Sequence, residues 1–457
     1  MKFKRIKKLH LVGIGGVGMC GIAEVLRNSG YEVSGSDQKK SETTSHLEEI
    51  GINVVYEHLA SNVADSDVVV ISSAVGEDNP EVIEAHKRKI PVIRRAEMLA
   101  ELMRMKFSVA IAGTHGKTTT TSLIGHLLTA GGLDPTVIVG GRVLGVGSNA
   151  YLGKGEYLVA EADEFDRSIS KFYPTIAVIT NIEPEHMECY KDLEDLENCF
   201  VEFGNRIPFF GSAVLCIDDP GVRRIEPRIT RPKITYGLES AADFSAADIA
   251  FQDNRTAFTL YHKGSRLARG ISPLLGYHNV RNVLAAIAVA HDLEIPLEAA
   301  LPAVKAFRGI GRRLELVGEA RAIRLYDDYA HHPTEIKVTL EGLRNVFKGR
   351  IVAVFQPHLY SRTRSFYKEF GQSFFDADIF IALDVYASRE KPIDGVSGKL
   401  VADAAKAFGH KNVFYIQDKS TLPDFLKNHL KEGDRVIFFG AGDIYKSSRE
   451  TLELINK

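Results

Sequence analysis

Residues 107–122 read Phe-Ser-Val-Ala-Ile-Ala-Gly-Thr-His-Gly-Lys-Thr-Thr-Thr-Thr-Ser. The apolar run Phe107–Ala112 predicts a buried strand, and the residues after Thr118 predict a helix. Between them lies a turn of two glycines, a lysine and threonines. Such a strand–turn–helix unit aims backbone N–H groups and a helix N-terminus at an anion. Lys117 can reach the β/γ-phosphates of a nucleotide, and the Thr118 hydroxyl can ligate Mg²⁺. Gly113, Thr114, His115, Gly116, Lys117, Thr118 and Thr119 are therefore candidate ATP contacts. The pattern departs from GxxxxGK[ST], because Ile111 stands where that pattern has glycine. A helix start with an exposed lysine is the plain alternative, and the strand before it and the helix after it favour the phosphate site.

A second unit of the same kind opens the chain. Leu9 to Ile14 predicts a strand, Val17 to Asn28 a helix and Tyr31 to Ser36 a second strand. Gly13-Ile14-Gly15-Gly16-Val17-Gly18 is a GxGxxG turn, and Asp37 follows Gly18 by nineteen residues, where an acidic side chain often meets a ribose hydroxyl. Gly13, Gly15, Gly16, Gly18 and Asp37 are the candidate diphosphate contacts. A tight turn without ligand and a redox dinucleotide site are the other two readings.

Further strands are expected at Val68–Ile71, Tyr157–Ala160 and Ile176–Thr180, and a β-rich stretch from Ala213 to Leu267. Glu161-Ala162-Asp163-Glu164-Phe165-Asp166 follows one of these strands and Asn181-Ile182-Glu183-Pro184-Glu185-His186 another. Acidic runs are commonly solvated loops. Beside a Gly-Lys-Thr turn, hard oxygen donors gain a magnesium role, which makes Glu161 a candidate ligand and His186 a candidate ligand of a second ion. Gly276-Tyr277-His278-Asn279-Val280-Arg281-Asn282 either holds an adenine by its His and Asn side chains or caps a helix starting near Val280.

Past the loop Arg308–Arg313, strands at Arg321–Tyr326, Ile351–Phe355, Ile379–Leu383 and Arg435–Phe439 alternate with helices. That spacing predicts a third, smaller doubly wound domain. Asp327 to Glu335 and Phe355 to Arg364 follow strands there and belong at the sheet's carboxyl edge, where arginines suit a small anionic substrate. At 457 residues the chain is long enough for about three domains. The expected limits are 1–106, 107–313 and 314–457, each α/β, the first and third Rossmann-like and the central one of P-loop ATPase type with a mostly parallel sheet.

Lys plus Arg total 57 against 59 Asp plus Glu, so no global basic footprint for nucleic acid or an anionic membrane exists. Hydrophobic residues at 45% and charged residues at 25% are values of a globular chain rather than a disordered one. No apolar run nears the ~20 residues of a membrane helix, and the basic start Met1–Lys8 leads into a segment too short for a signal core. Cys20, Cys189, Cys199 and Cys216 form no CxxC pair. The expected setting is a reducing cytoplasm with small-molecule partners, no nucleic acid and no membrane span, the oligomeric state being open between monomer and weak dimer.

Taken together, GIGGVGM, GTHGKTTTT, EADE, TNIEPEHM, GYHNVRN, DDYAHHPTE and FQPHLYSRTR resemble the Mur ligase family across nearly the whole chain. The resemblance implies three domains that take, in order, a UDP-sugar, ATP with Mg²⁺, and the incoming amino acid. The implied reaction joins L-alanine to the lactyl carboxylate of UDP-N-acetylmuramate through an acyl phosphate, in peptidoglycan precursor synthesis. By motif match, Lys117 contacts phosphates, Thr118 and Glu161 hold one Mg²⁺, and His186 serves a second. His278, Asn279 and Asn282 lie near the adenine, with Arg312 or Arg313 near the phosphates. Tyr329, His331 and Arg362 face the amino acid, and Lys117, His331 and Arg362 are the implied catalytic groups. Two positions depart from the pattern. Phe165 stands where Ser is frequent, which is nearer to the murein-tripeptide ligases of the family, and Leu359 stands where many alanine-adding members carry Arg. An oxidoreductase built on the first turn leaves Gly113–Thr119 and Glu161 unexplained.

Overall fold

Short β-branched runs such as Val68–Ile71, buried at every position, form the middles of parallel sheets covered on both faces. The computed structural model describes residues 5–139, 150–151, 153–185, 187, 189–252, 255–388 and 390–456. It is a three-domain α/β fold with mostly parallel sheets.

The first sheet contains β1 (Lys8–Val12), β2 (Glu32–Ser36), β3 (Asn53–Val55), β4 (Val68–Ile71) and β5 (Val92–Arg94) in the order β3-β2-β1-β4-β5, all parallel. Strand order reverses beside β1, and the crevice at such a reversal is where doubly wound sheets bind ligands. β1 is shorter than expected. It stops at Val12, because the amides of Gly13 and Ile14 turn aside to the carbonyl of Ser36 at 2.8 and 3.0 Å. The helix Val17–Asn28 follows as expected.

The second sheet runs through β6 (Phe107–Ala112), β7 (Thr136–Ile138), β8 (Ala150–Tyr151), β9 (Tyr157–Glu161), β10 (Ile176–Ile179), β11 (Ser212–Cys216), β12 (Lys233–Gly237), β13 (Phe244–Gln252), β14 (Arg255–His262) and β15 (Ser265–Ser272). Its order is β15-β14-β13-β12-β11-β10-β6-β9-β7-β8. β6 lies between β9 and β10, parallel to both, so the loops after these three strands emerge side by side. The helix Lys117–Ala130 leaves the middle one with Leu123, Ile124, Leu127 and Leu128 buried.

The third sheet contains β16 (Glu315–Ala320), β17 (Ile323–Asp328), β18 (Ile351–Phe355), β19 (Ile379–Leu383), β20 (Val413–Ile416) and β21 (Arg435–Phe439) in the order β16-β17-β21-β18-β19-β20. It is parallel except for β16–β17. The single strand expected from Arg321 is instead the return limb of a hairpin. Arg321 and Ala322 form its turn at φ +51° and +58°, the left-handed pair a tight hairpin needs. Neither residue is one of the usual turn formers Gly or Asn, so the sequence hides the turn.

By packing, the chain divides into two compact units, one of Met1–Ile249, Ala257–Pro273 and Asn279–Arg308, the other of Ala250–Thr256, Leu274–His278 and Gly309–Lys457. Among the described residues no helix is long and apolar enough to cross a membrane.

Candidate active site

The turn after β6 is fixed by the residues that follow β10. Gly113 has φ +135°, and a Cβ there would lie 2.1 Å from Thr180 Oγ1 and 3.0 Å from the Asn181 carbonyl. Only glycine admits that backbone and that approach. Gly116 has φ +81°, with Asn282 Oδ1 2.9 Å from the place of a Cβ. Asn181 clamps His115 from both sides, Oδ1 accepting its amide at 2.7 Å and Nδ2 donating to its carbonyl at 3.0 Å. Thr180 Oγ1 donates to the same carbonyl at 2.7 Å. The Thr114 hydroxyl accepts the Glu183 amide at 2.9 Å, and the His115 ring lies 3.5 Å from the Glu183 carboxylate.

Lys117 opens the helix behind this turn. Its ammonium donates to Glu164 Oε2 and Oε1 at 2.9 and 3.1 Å and to the carbonyls of Gly113 and Thr114 at 2.5 and 3.2 Å. The Glu164 side chain is only 1% exposed. Burial favours the neutral amine of Lys117, but the carboxylates of Glu164, Asp163 and Glu185 outweigh it and hold the lysine charged. Glu164 is itself anchored, since the Tyr190 hydroxyl donates to its carbonyl at 2.5 Å. Thus a cation is aimed at the turn and kept there by a buried counter-ion. The sequence showed the acidic run but not which carboxylate does this; only the packing of the loop after β9 against that after β6 picks out Glu164.

Glu161 ends β9, half-buried, and pairs in register with Ile111 of β6. Thr118 is the second residue of the helix from the same strand. Glu161 at the carboxyl end of β9 and Thr118 in the first turn of the helix that follows the adjacent β6 are both hard oxygen donors, the type magnesium takes. His186 lies outside the described residues. The helix expected near Val280 starts at Tyr277, so Asn279 and Asn282 are inside it and neither caps it. Instead Asn282 accepts from Thr120 Oγ1 at 3.2 Å and donates to Asn279 Oδ1 at 3.1 Å, which puts it against the phosphate-type turn. His278 is the second residue of that helix.

At the first turn, Gly13, Gly15, Gly16 and Gly18 bring backbone to the crevice beside β1. No side chain caps the helix at Gly16. Asp37 uses both carboxylate oxygens on backbone, accepting from Gly15 at 2.9 Å and from Gln38 at 2.8 Å; in this structure it shapes the turn. Arg95, which sequence reasoning passed over, lies with Nη1 3.1 Å from where a Gly18 Cβ would stand and with Nη2 3.9 Å from Asp163. It therefore links the first turn to the acidic loop of the second sheet. A doubled arginine at the start of the helix Arg95–Arg104 was the available signal.

The second unit carries the remaining candidates. Arg312 donates to Asp327 at 2.9 Å and to the Gly440 carbonyl at 2.6 Å, with Tyr329 and Tyr445 each 4.9 Å from its guanidinium. Arg313 pairs with Glu335 at 3.2 Å. Glu335 also accepts the His331 amide at 3.0 Å, so Tyr329, His331 and the two arginines share one edge of the third sheet. Burial pushes the Asp328 carboxyl beneath them up to about 6, against the pull of Arg313. Arg362 is half-buried in the first turn of the helix Tyr360–Gln372. Leu359, immediately before that helix, holds φ +69°, a strain of about 1–3 kcal/mol for a residue with a Cβ. Its amide donates to Tyr386 at 3.0 Å and its carbonyl accepts from Thr363 Oγ1 at 2.7 Å. Leu359 thus sets the direction of the helix that presents Arg362.

Three family models cover this layout. The Mur ligase family catalytic domain matches residues 8–107, the Mur ligase middle domain 111–290 and the Mur ligase glutamate ligase domain 312–442. The chain belongs to the Mur ligase family. This Mur ligase is 50% identical to a UDP-N-acetylmuramate–L-alanine ligase of Geotalea uraniireducens, over 99% of this chain and 98% of the relative. Among solved structures it is similar to the UDP-N-acetylmuramate–alanine ligase MurC of Thermotoga maritima, at a TM-score of 0.84 and 30% identity over 98% of each chain. A murein peptide ligase of Psychrobacter arcticus shares the fold at a TM-score of 0.72 and 24% identity, over 99% of each chain.

Proposed function

We propose that this Mur ligase uses ATP to join L-alanine to the lactyl carboxylate of UDP-N-acetylmuramate, giving UDP-N-acetylmuramoyl-L-alanine, ADP and phosphate for peptidoglycan precursor synthesis in the cytoplasm. The observation that carries the reading is the 50% identity, along 99% of the chain, to a relative of that activity. The lactyl carboxylate oxygen attacks the γ-phosphorus and ADP leaves. The alanine amine then attacks the acyl carbon, the bond from that carbon to the phosphate oxygen breaks, and phosphate leaves while the nitrogen gives up a proton to it.

In this reading domains 1–106, 107–313 and 314–457 take the UDP-sugar, ATP and alanine. Two anions must meet in the first step, so positive charge and fixed donors do most of the work. Lys117 supplies the charge. The amides of Gly113 to Thr119 supply donors, and Asn181 and Thr180 hold them in place before the nucleotide arrives. Thr118 and Glu161 would hold a magnesium ion, whose contribution is to neutralise phosphate oxygens. His278, Asn279 and Asn282 serve the adenine, and Arg312 and Arg313 the phosphates. Gly13, Gly15, Gly16 and Gly18, shaped by Asp37, serve the UDP-sugar. Tyr329, His331 and Arg362 serve alanine.

Two measurements test the assignments. Glu161→Ala is expected to raise the Mg²⁺ concentration needed for half-maximal phosphate release about tenfold or more, with activity partly restored by excess Mg²⁺. A loss that no Mg²⁺ concentration moves would assign Glu161 a structural role instead. Arg362→Lys is expected to raise the KM for alanine about tenfold, because an ammonium cannot reproduce a bidentate guanidinium–carboxylate pair, while the KM values for ATP and the UDP-sugar stay near wild type. An unchanged alanine KM removes Arg362 from that site. Phe165 favours the murein-tripeptide substrate, and Leu359 departs from the alanine-adding pattern. Turnover of L-Ala-D-Glu-diaminopimelate in preference to alanine overturns the alanine reading.

A further inference from the structure

Five segments around the first sheet converge on one carboxylate that the reaction does not use. Glu81 lies in the first turn of the helix Pro80–Lys87 with its side chain fully buried. Its Oε1 accepts from His10 Nε2 at 3.1 Å and from Asn62 Nδ2 at 2.7 Å. Its Oε2 accepts from Ser36 Oγ at 2.7 Å and from His58 Nδ1 at 2.8 Å. Burial alone would raise this carboxyl, but the hydrogen bonds from His10, Ser36, Asn62 and His58 outweigh it and hold it at about 2. Glu81 is therefore an ionised hub with four donors around it.

What the hub fixes is Ser36, at the end of β2. The Ser36 carbonyl accepts both amides that open the first turn, Gly13 at 2.8 Å and Ile14 at 3.0 Å. The next residue, Asp37, takes the amide of Gly15 at 2.9 Å. Through one serine, the buried carboxylate thus reaches the backbone on which a diphosphate would rest.

We propose that Glu81 is a positioning residue for the nucleoside-diphosphate sugar: by holding Ser36 it fixes the Gly13–Gly18 turn in its binding shape. The proposal rests on the reading of that turn as the UDP-sugar site. Glu81→Gln keeps the volume but removes the charge and replaces one of the two acceptor oxygens with a donor, so two of the four donors lose their acceptor and the hold on Ser36 weakens.

The test uses the full chain and two probes, UDP alone by calorimetry and UDP-N-acetylmuramate in steady-state phosphate release. Glu81→Gln is expected to weaken UDP binding and raise the UDP-N-acetylmuramate KM about tenfold, the loss expected from one charge-assisted hydrogen bond. The KM values for ATP and alanine should change less than about twofold. Ser36→Ala, which removes the linking hydroxyl and keeps the carbonyl, should move the same two quantities, and it decides the matter if Glu81→Gln does not fold. Equal losses in all substrates and kcat that follow the fall in Tm, or unchanged UDP affinity in both variants, overturn the proposal. Asp37→Asn acts on Gly15 directly. If it weakens UDP binding while the Glu81 and Ser36 variants do not, only the anchoring role falls; if all three bind UDP normally, the turn is not the sugar site and both readings fall.

Discussion

Lys117→Ala is expected to lower kcat for phosphate release about 10³-fold or more, the scale seen when a preorganised charge is removed from a phosphoryl-transfer site. The lysine does not wait loosely in solvent. It is bound to both oxygens of the buried Glu164 and to the carbonyls of Gly113 and Thr114, so its position is set before any nucleotide arrives. The same contacts make the substitution costly to the fold. A buried carboxylate left without its cation destabilises by about 3–5 kcal/mol, unless it takes a proton. The variant should therefore be measured beside the double variant Lys117→Met, Glu164→Gln, which removes the stranded charge. The double variant should recover much of the lost Tm and none of the lost turnover. Near-wild-type phosphate release from Lys117→Ala would remove this residue from the phosphate site.

Gly113→Ala has the second-largest expected effect, and its cause is backbone geometry. At φ +135° a side chain is strained, and the new Cβ would lie 2.1 Å from Thr180 Oγ1, which can turn aside only by giving up its bond to the His115 carbonyl, and 3.0 Å from the Asn181 carbonyl, which is backbone. The turn must move away from β10, which breaks the contacts of Thr180 and Asn181 with His115. A displacement of about 1 Å in a catalytic turn costs on the order of 10²-fold in rate. The expected result is a fall of that size in kcat/KM for ATP with a lowered Tm, while UDP binding stays near wild type. Unchanged kinetics for ATP would show that the turn does not carry the phosphates.

Much of this was legible because the decisive signals are local. Phe107–Ala112, Val68–Ile71, Ile351–Phe355, Ile379–Leu383 and Arg435–Phe439 are strands at the residues their apolar runs indicate. In each case a buried parallel strand needs side chains that suit apolar surroundings on both faces, and no distant partner alters that need. What the sequence missed depended on partners far along the chain or on unusual turns. The Arg321–Ala322 turn forms without glycine because β16 and β17 pair closely on either side of it. One of the two readings of Asn279 and Asn282 makes them a helix cap, whereas both lie inside the helix that starts at Tyr277 and Asn282 bonds Thr120, which lies 162 positions away.

The sequence by itself determined that strands and helices alternate, that two glycine-rich turns open helices, and that Lys117 stands at a phosphate-type turn. These follow from periodicity, from the backbone freedom of glycine and from the reach of one lysine, all properties of neighbouring residues. Only the tertiary structure decided which of the carboxylates from Glu161 to Asp166 pairs with Lys117, that Asn181 and Thr180 lock the turn, that Arg95 reaches Gly18, and that Glu81 gathers His10, Ser36, His58 and Asn62. Those relations depend on which strands lie side by side, since parallel neighbours β9, β6 and β10 bring loops some fifty to seventy residues apart to one edge. Charge alone cannot choose among nearby carboxylates; burial does, because a carboxylate withdrawn from water needs either a cation, as Glu164 at 1% exposure has in Lys117, or a full set of hydrogen-bond donors, as Glu81 has, to stay ionised.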